Sequence, residues 1–401
     1  MKILFLTTQF PYPLDNGGKI GAYNGISILS SGNQLTVMSF TEEDFADEGI
    51  NFYKTKFPQV TFYPPVKQHV HIQKRYFELF KVMCKSYLRH IPYITMKFEN
   101  VKMYTQIDQE LDRAQYDFVF IDYLNMFLYG QYIIKKYPYY TDKIIIKDHN
   151  IEFRIYQQAA ENSHGLKKLV LDHEWKKVRE YEIKALNAGR FVFSVCDEDA
   201  DYMSQYNPNT HAMKPTFEIL TERKSLTAKP ALLYIGNLSW QANLKGLRWF
   251  LDQVWPSLLQ QFPDISIDIV GGGLKENPFP DITGVNYRGY IKNIEDIYKE
   301  FRVFIVPLFE GSGIRIKILE AFNHDIAVVS TRMACDTIGA INEKELMVVD
   351  TAEEFAEKVA LLLQDDDKNN ELRKNAKIFL EQRYSLKARQ EEIGEIISER
   401  T

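Results

Sequence analysis

The chain has 401 residues, of which 45% are hydrophobic and 26% are charged, a composition that is typical of globular proteins and excludes a disordered or fibrous chain. Its length predicts two domains or one large one. Its 49 basic and 54 acidic residues give a net charge of −5, which argues against a general nucleic-acid binder.

The three cysteines, Cys84, Cys196 and Cys335, are far apart and form neither a CxxC pair nor a His/Cys cluster. This spacing predicts neither a disulfide framework nor a zinc site and favours a reducing compartment. The first apolar run, Ile3 to Leu6, is short and fits a buried strand better than a signal peptide. No run of apolar residues is long enough to predict a membrane-spanning helix.

Short apolar runs alternate with amphipathic stretches in the first half. The predicted strands are 2–8, 34–40, 118–122, 144–147 and 191–195. The predicted helices between them include 77–89, 104–114 and 166–186. Strands that are buried on both faces and separated by helices predict a parallel sheet with crossover helices.

The alternation stops at 207–230, where three prolines and little periodicity indicate a linker, and then restarts. The later predicted strands are 231–237, 265–273, 285–289, 303–309, 327–331 and 346–350. The later predicted helices are 247–262, 294–301, 316–323 and 352–363, and the acidic run 365–367 is interpreted as a solvated turn.

Four segments follow from this pattern. The predicted segments are an N-terminal α/β domain at 1–212, a linker at 213–230, a second α/β domain at 231–385, and a C-terminal helix at 386–401 that packs back on the first domain. Open α/β sheets bind ligands at the carboxyl ends of their strands. Two such domains therefore favour an enzyme with a two-part substrate bound in the cleft between them.

A glycine loop, Asn16 to Gly21, follows the first predicted strand. Glycines there allow backbone amides to approach a phosphate at a helix N-terminus. Eight residues separate the strand from the first glycine, so the loop does not fit a dinucleotide fingerprint. A plain glycine turn is the alternative interpretation.

His149 comes directly after the predicted strand 144–147 and is expected to face the ligand crevice. An imidazole in this place donates a hydrogen bond or titrates near neutral pH. A histidine that satisfies a loop carbonyl explains the same pattern, and both interpretations stay open.

The segment 306–322 is the most informative part of the sequence. A predicted strand ends at Pro307, a Gly-Ser-Gly loop follows at 311–313, and then a helix begins. Loop amides and a helix N-terminus together predict an anion site. Arg315 and Lys317 lie at the junction between loop and helix, where both can add positive charge to a diphosphate.

Other polar or glycine-rich motifs are weaker indications of a functional site. Glu320, on the helix that follows the loop, can accept two hydroxyl hydrogen bonds from a ribose. The three glycines 271–273 indicate only a close approach of backbone. Asp197 and Asp199 form a D-x-D pattern, but acids are favoured in the first turn of a helix, and no further ligand cluster supports a metal.

The second half resembles the group 1 (family 4) retaining glycosyltransferases, which have the GT-B fold. The matching elements occur in the family's order, namely Gly236-Asn237-Leu238, Gly271-Gly272-Gly273, Gly289-Tyr290, Pro307 with the glycine loop, Leu319-Glu320-Ala321-Phe322 and Ala327-Val328-Val329-Ser330-Thr331. The first half matches less closely, through its first strand, Gly17-Gly18, His149 and the segment 194–199. The resemblance implies an α/β protein of two Rossmann-like domains that face each other across a cleft.

The chain departs from the family at the first of two glutamates that are separated by seven residues. Counted back from Glu320, that position holds Ser312, and Glu310 lies two residues further away. The sequence leaves open which of these two takes the place of the first glutamate. Asn237 stands where the family has an arginine that binds the diphosphate.

The resemblance implies retaining transfer of a sugar from a nucleotide-diphosphate sugar, with no metal or other cofactor. Catalytic roles are implied for His149, Arg315, Lys317 and Glu320. In this assignment Arg315, Lys317 and the loop amides bind the diphosphate. Glu320 binds the ribose, and His149 contacts the reacting sugar or the acceptor. Donor contacts are implied for Gly17, Gly18, Gly236, Asn237, Gly272, Glu310, Gly311, Ser312, Gly313 and Ile314.

A basic stretch at 67–97 holds seven lysines and arginines and a single acid, Glu78. Apolar side chains interleave with these charges, namely Phe77, Leu79, Phe80, Met83, Tyr87 and Leu88. A basic amphipathic helix of this kind can lie on an anionic membrane surface. A helix with a core face and a solvated basic face is the alternative.

The expected function is therefore sugar transfer to a glycan or lipid-linked acceptor in cell-surface polysaccharide synthesis, by a cytoplasmic enzyme that is peripheral on the inner face of the cell membrane. Two alternatives stay open. One is a nucleotide-sugar epimerase of the same fold, for which only His149 and Glu152 are obvious acid–base candidates. The other is a non-catalytic relative that binds a sugar nucleotide, which the missing first glutamate favours.

Overall fold

The computed structural model describes residues 1–14, 17–42, 46–69, 76–221, 229–273, 277–279, 282–291, 294, 297–311 and 314–398. The chain forms two compact units. Met1–Pro215 and Arg389–Thr401 make up the first unit, and Thr216–Ala388 makes up the second.

The first unit contains a parallel sheet. The strands described there are β1 (Lys2–Thr7), β2 (Gln34–Thr41), β3 (Val60–Phe62), β4 (Val66–Lys67), β5 (Phe118–Asp122), β6 (Ile144–Lys147), β7 (Phe191–Ser194) and β8 (Thr210–Ala212). Their order is β3-β2-β1-β5-β6-β7-β8, and β4 pairs with β2. The five predicted strands are confirmed to within one residue at each end. β8 lies inside the stretch 207–230 that was interpreted as a linker, because its three residues are too short to show a period.

Helices connect these strands. They are α1 (Gly17–Leu29), α2 (Ala46–Lys56), α3 (Tyr76–Arg89), α4 (Tyr93–Met96), α5 (Val101–Arg113), α6 (Phe127–Lys136), α7 (Glu152–Glu161), α8 (Gly165–Ala188) and α9 (Asp197–Ser204). The three predicted helices are confirmed as α3, α5 and α8. α5 begins three residues before the predicted start because the side chain of Asn100 caps it, accepting a hydrogen bond from the amide of Lys102.

The second unit also alternates strands and helices around a parallel sheet. Its described strands are β9 (Ala231–Ile235), β10 (Ser266–Val270), β11 (Val285–Gly289), β12 (Val303–Val306), β13 (Ala327–Thr331) and β14 (Met347–Val349). They pair in parallel in the order β11-β10-β9-β12-β13-β14. This is the doubly wound order, in which the chain reverses direction between β9 and β12. Ligands of such sheets bind outside the carboxyl ends of the strands at that reversal.

The helices of the second unit are α10 (Gln241–Trp249), α11 (Trp255–Gln261), α12 (Ile316–Asn323), α13 (Arg332–Cys335), α14 (Ala352–Gln364) and α15 (Asp366–Tyr384). A π-helical segment, Phe250–Val254, joins α10 to α11, so the helix predicted at 247–262 begins six residues earlier than expected. The helix predicted at 294–301 is wrong, since a 3-10 turn at Ile297–Glu300 occupies the described part of it.

The acids 365–367 are exposed, as expected, but the interpretation of them as a turn is wrong, since Asp365 caps α15 and Asp366 begins it. The side chain of Asp365 caps α15 by accepting a hydrogen bond from the amide of Lys368 at 2.8 Å. Asp366 pairs with the buried guanidinium of Arg302. Three consecutive acids thus begin a helix, because carboxylates stabilise the positive end of a helix dipole.

The final helix, α16 (Leu386–Ser398), begins in the second unit and ends in the first. The side-chain amide of Gln390 donates a hydrogen bond to the carbonyl of Ser27 at 2.9 Å. Ile393 and Ile397 are buried. This end of the chain is therefore held to the first unit by both apolar burial and a hydrogen bond.

Gly246 on α10 allows this helix to pack on the end of β12. A Cβ atom at position 246 would overlap the carbonyl oxygen of Pro307, so backbone meets backbone there. Only glycine permits this approach without moving α10 away from the carboxyl edge of the sheet.

Gly246→Ala is expected to lower the free energy of unfolding by about 2–4 kcal/mol, because the new methyl group forces α10 off the sheet. Gly394→Ala on α16 is the matched control, since nothing lies within 4 Å of its Cβ position. That change is expected to be neutral or to stabilise by up to about 1 kcal/mol. Denaturant unfolding followed by tryptophan fluorescence measures both, and equal midpoints for the two variants would contradict the packing argument.

Candidate functional site

The loops after β9 and β10 form the floor of the candidate site in the second unit. A Cβ on Gly271 would overlap the carbonyl oxygen of Gly236, so these two loops meet through bare backbone. The amide of Leu238 donates to the carbonyl of Gly272 at 2.9 Å. Gly236 and Gly272, both predicted donor contacts, therefore lie on neighbouring loops at one edge of the sheet.

Asn237 organises the turn that leads into α10. Its side-chain oxygen accepts hydrogen bonds from the amide and the hydroxyl of Ser239, at 2.9 and 2.8 Å. Its carbonyl oxygen accepts a third from the side-chain amide of Asn243 at 2.8 Å. Asn237 therefore shapes the loop, and its side-chain oxygen is already engaged by Ser239.

Lys317, in the first turn of α12, reaches across to the loop after β9. Its ammonium lies 3.2 Å from the side-chain oxygen of Asn243 and 5.2 Å from the ring centre of Tyr234. A Cβ on Gly236 would lie 3.1 Å from the same ammonium. The structure thus brings two predicted site residues, Gly236 and Lys317, into contact. Asn243 and Tyr234 were not predicted, since an amide and a tyrosine in these places follow no motif.

The surroundings of Lys317 disfavour its charged form. Burial, and then the positive charge of Arg315, lower the pKa of Lys317 to about 8, while Glu320 opposes the shift. Burial also lowers the pKa of Arg315. Two cations lie together where water is scarce, so an anion bound there would be attracted more strongly than at the surface.

Arg315 stands at the N-cap position of α12, and its guanidinium lies against Gly311. A Cβ on Gly311 would approach that guanidinium to 2.7 Å, and the φ of Gly311 is +117°. Ile314 is half-buried between the loop and the helix. Two predicted members of the loop, Ser312 and Gly313, lie outside the described residues.

Glu320 and Glu310 have different surroundings. Glu320 is half-buried on α12, and burial raises its pKa while Lys317 opposes the shift. Glu310 is exposed and forms an ion pair of 2.9 Å with Lys245 on α10. Glu320 therefore belongs to the charged group around Lys317, whereas the carboxylate of Glu310 lies against a different lysine.

In the first unit, a row of polar side chains crosses three neighbouring strands at their carboxyl ends. Thr7 of β1, Asp122 of β5 and Lys147 of β6 are adjacent in register. The hydroxyl of Thr7 donates to Asp122 at 2.7 Å, and the ammonium of Lys147 lies 3.3 Å from the same carboxylate. All three residues are buried, so the row is a compensated polar centre inside the sheet.

His149 completes this row, two residues after the end of β6. Its Nε2 lies 2.8 Å from Asp122, and its ring stacks on Tyr123 with 3.7 Å between ring centres. Burial opposes ionisation of Asp122, but Lys147 and then His149 outweigh it and lower the pKa of Asp122 to about 2. Burial, and then Lys147, lower the pKa of His149, so a neutral imidazole that donates its Nε2 proton to Asp122 is favoured.

The same histidine is packed against the first turns of α1. A Cβ on Gly21 would lie 2.6 Å from the His149 ring. The hydroxyl of Tyr123 donates to the carbonyl of Gly18 at 3.2 Å, and the ammonium of Lys147 donates to that of Gly21 at 3.0 Å. Gly21 thus allows α1 to approach the polar row closely, and from Gly17 onward the predicted loop is instead the first turn of a helix. Gly17 is the first residue of that helix.

Two buried carboxyl groups, those of Asp148 and Glu182, lie together after β6. Glu182 of α8 accepts hydrogen bonds from the amides of Glu152 and Phe153, at 2.8 and 3.3 Å, and so caps α7. Asp148, fully buried, lies against Glu182. Burial raises the pKa of Glu182 to about 7, and burial together with the charge of Glu182 raises the pKa of Asp148. Burial thus favours the protonated form of Asp148.

The described residues contain neither a candidate membrane-spanning helix nor a candidate metal cluster. Within the described residues, no helix combines the length and the apolar character that spanning a membrane requires. Over the same residues, no three histidine, cysteine or carboxylate side chains come together as a metal site would need.

Comparison with known proteins connects this geometry to a family. Residues 229–365, which include Arg315, Lys317 and Glu320, match the family model described as Glycosyl transferases group 1. An uncharacterised 44.6 kDa protein of the cps region of Klebsiella pneumoniae is 22% identical, and the match covers 96% of this chain and 97% of that protein.

Solved structures share the fold over the whole chain. Sucrose-phosphate synthase from Thermosynechococcus elongatus has a TM-score of 0.67 at 13% identity, with 100% of this chain and 98% of that chain covered. Anabaena HepE in complex with UDP-glucose has a TM-score of 0.64 at 14% identity, with both chains covered completely. The predicted GT-B class of two Rossmann-like domains is confirmed. Residues 229–365 thus match a group 1 glycosyltransferase domain, and the chain is an enzyme of the transferase class.

The buried carboxyl pair makes stability fall as pH rises. The folded state binds a proton at Asp148 and Glu182 more tightly than the unfolded chain does, so the free energy of unfolding is expected to decrease as pH rises from the ordinary carboxyl range to the pKa of Glu182, about 7. Asp148→Asn keeps a hydrogen-bond donor beside Glu182 and is expected to flatten this decrease by on the order of 1–3 kcal/mol. Denaturant unfolding across this pH range measures the effect.

Glu180→Gln serves as the control, because Glu180 is an exposed residue of the same helix, with His90 as its partner. Its pH dependence should match that of the unchanged protein. Parallel curves for Asp148→Asn and the unchanged protein would show that the pair does not share a proton.

Proposed function

We propose that this glycosyltransferase moves a sugar from a nucleotide-diphosphate sugar to a glycan or lipid-linked acceptor, with retention at the anomeric carbon, in cell-surface polysaccharide synthesis. The observation that carries this proposal is the pair of half-buried cations, Arg315 and Lys317, beside the loop after β12. HepE, which shares the fold, has been solved with UDP-glucose, which supports a nucleotide sugar as donor. A relative from a cps region supports the polysaccharide role.

In this proposal, the diphosphate of the donor lies at the N-terminal end of α12. Arg315 and Lys317 supply two positive charges, and the amides of the 311–313 loop supply hydrogen bonds. Glu320 accepts hydrogen bonds from ribose hydroxyls. Lys317 opposes the rise in the pKa of Glu320, which favours the carboxylate form that this role needs. Gly236, Asn237, Gly272, Glu310 and Ile314 line the rest of the donor site.

The chemical step needs stabilisation of the leaving group more than a protein nucleophile. The bond between the anomeric carbon and the β-phosphate oxygen breaks, and the acceptor oxygen bonds to that carbon on the same face. The acceptor proton passes to the departing phosphate oxygen. Charge therefore develops on the diphosphate, where fixed cations and amides stabilise it without a metal.

The first unit is proposed to contribute a positioned α1 N-terminus and His149. Gly17 and Gly18 begin α1, and the polar row fixes this helix through Tyr123 and Lys147. His149 is the residue proposed to meet the reacting sugar or the acceptor. Its hydrogen bond to Asp122 fixes one ring orientation, as a catalytic imidazole requires. The enzyme is proposed to act in the cytoplasm, at the inner face of the cell membrane.

Arg315→Ala is expected to lower kcat by roughly 10²–10³-fold, because one fixed charge on the leaving group is lost. Glu320→Ala is expected mainly to raise the KM for the donor, since the ribose contact is made equally in the ground state. Lys374→Ala, at an exposed lysine of the same unit, should leave both constants unchanged. Donor consumption and product formation are measured with and without acceptor, and NMR of the product reports its anomeric configuration.

Unchanged turnover in both site variants would refute the assignment of the site. Consumption of donor without any acceptor would instead identify an epimerase or a hydrolase. An inverted product would remove retention from the proposal while leaving the donor site intact. Binding of donor with no turnover under any condition would favour the non-catalytic alternative.

The affinity for UDP is expected to fall as pH rises through about 8, because deprotonation of Lys317 removes a charge that the diphosphate needs. Above the pKa of the free protein, each pH unit is expected to weaken binding by up to about tenfold. Titration calorimetry with UDP measures this. In Lys317→Arg the charge persists to higher pH, so the pH dependence should become shallower. The same slope in both proteins would exclude Lys317 as a diphosphate ligand.

A further inference from the structure

Helix α3 exposes an apolar face to solvent. Phe77, Phe80, Tyr87 and Leu88 are 66% to 81% exposed, and Met83 is 44% exposed. Together with the exposed Cys84, these positions recur at intervals of three and four residues along one side of the helix. Exposed large apolar residues that stand singly are ordinary, whereas a contiguous set on one helix indicates a surface that binds something.

The opposite face of α3 is anchored, so the exposure does not come from a loose helix. Leu79 and Val82 are half-buried, and Ser86 is buried. The hydroxyl of Ser86 donates to the carbonyl of Ile91 and accepts from the ammonium of Lys177, both at 2.7 Å. The helix therefore has two apolar sides, and only one of them packs against the protein.

Cations flank the exposed apolar face. Lys81, Lys85 and Arg89 follow each other at intervals of four along the edge of this face. Lys85 and Arg89 share one carboxylate, that of Glu99, so this group keeps a net positive charge. The surrounding stretch 67–97 holds seven basic residues and one acid in a chain whose total charge is −5. The sequence around the exposed apolar helix is therefore strongly basic, although the chain as a whole is negative.

We propose that this face of α3 docks on the surface of an anionic lipid bilayer, with Phe77, Phe80, Tyr87 and Leu88 entering the interface and the cations meeting lipid phosphates. A convex helix face with aromatic residues and a basic flank fits a planar, negatively charged interface. A protein partner would be expected to need a complementary groove for it. The inference gives the proposed function its membrane partner, and it rests on that function only in linking the membrane to a lipid-linked acceptor.

Cys84 provides a native probe of this contact. It is exposed within the apolar face, whereas Cys196 and Cys335 are buried, and burial raises the pKa of their thiols to about 12 and about 11. A polarity-sensitive maleimide fluorophore therefore labels Cys84 selectively. With vesicles of phosphatidylcholine and phosphatidylglycerol in equal parts, we expect a blue shift and a rise in intensity. Pure phosphatidylcholine vesicles should give a response about tenfold weaker, and added salt should weaken binding to the anionic vesicles.

The double variant Phe80→Glu with Leu88→Glu is expected to lower vesicle affinity by about tenfold or more, since two inserted apolar groups become charged. The matched control is Ile341→Glu, at a residue of the second unit that is 57% exposed. It should bind vesicles as the unchanged protein does. Sedimentation with unlabelled protein repeats the measurement without the fluorophore.

Two outcomes would overturn the proposal. One is an unaltered Cys84 probe in the presence of anionic vesicles while the protein remains folded. The other is a change in oligomeric state caused by Phe80→Glu with Leu88→Glu in the absence of lipid, which would identify the face as an interface between copies of this chain. Neither readout requires a donor or a turnover, so failure here is distinguishable from failure of the proposed transferase activity.

Discussion

Each sheet keeps a buried or half-buried lysine near its carboxyl edge, and the two lysines have opposite surroundings. Lys147 lies 3.3 Å from the carboxylate of Asp122, which Thr7 and His149 also bind, so its charge is compensated inside the first unit. Lys317 has an amide oxygen and a tyrosine ring beside it, and Arg315 repels it. Because a desolvated charge needs a counter-ion, the second unit gains more from binding an anion.

The two units therefore suit different roles. In the first unit, every member of the polar row has a partner within the row or in α1, so the row acts as a rigid frame for His149 and for the first turn of α1. In the second unit, glycines bring the loops after β9 and β10 close together, and Lys317 lies beside them with a pKa that burial and the charge of Arg315 lower. A rigid frame in the first unit and clustered positive charge in the second suit an enzyme whose substrate carries a diphosphate.

Much of the fold could be predicted, since strands buried on both faces and helices with a 3.6-residue period follow from the order of apolar and polar residues along the chain. β3, β4 and β8 are too short to show a period, and α15 was missed because its three leading acids were taken for a turn. In the site, Arg315, Lys317 and Glu320 were predictable from one contiguous motif. Asp122 and Asn243 were not, because their roles depend on register and on packing between residues distant in sequence.

The surroundings of Glu310 and Glu320 distinguish these two residues, although the sequence motif leaves the role of Glu310 open. The ion pair of Glu310 with Lys245 joins two side chains that are 48% and 65% exposed, and such pairs contribute little to stability. The cost of separating them is correspondingly small, so Glu310 can exchange Lys245 for a hydroxyl-bearing ligand without disturbing α10. Glu320, which is half-buried beside Lys317, has no such freedom. The two glutamates therefore suit different tasks, with Glu320 as a fixed hydrogen-bond acceptor and Glu310 as one that changes partners when a ligand binds.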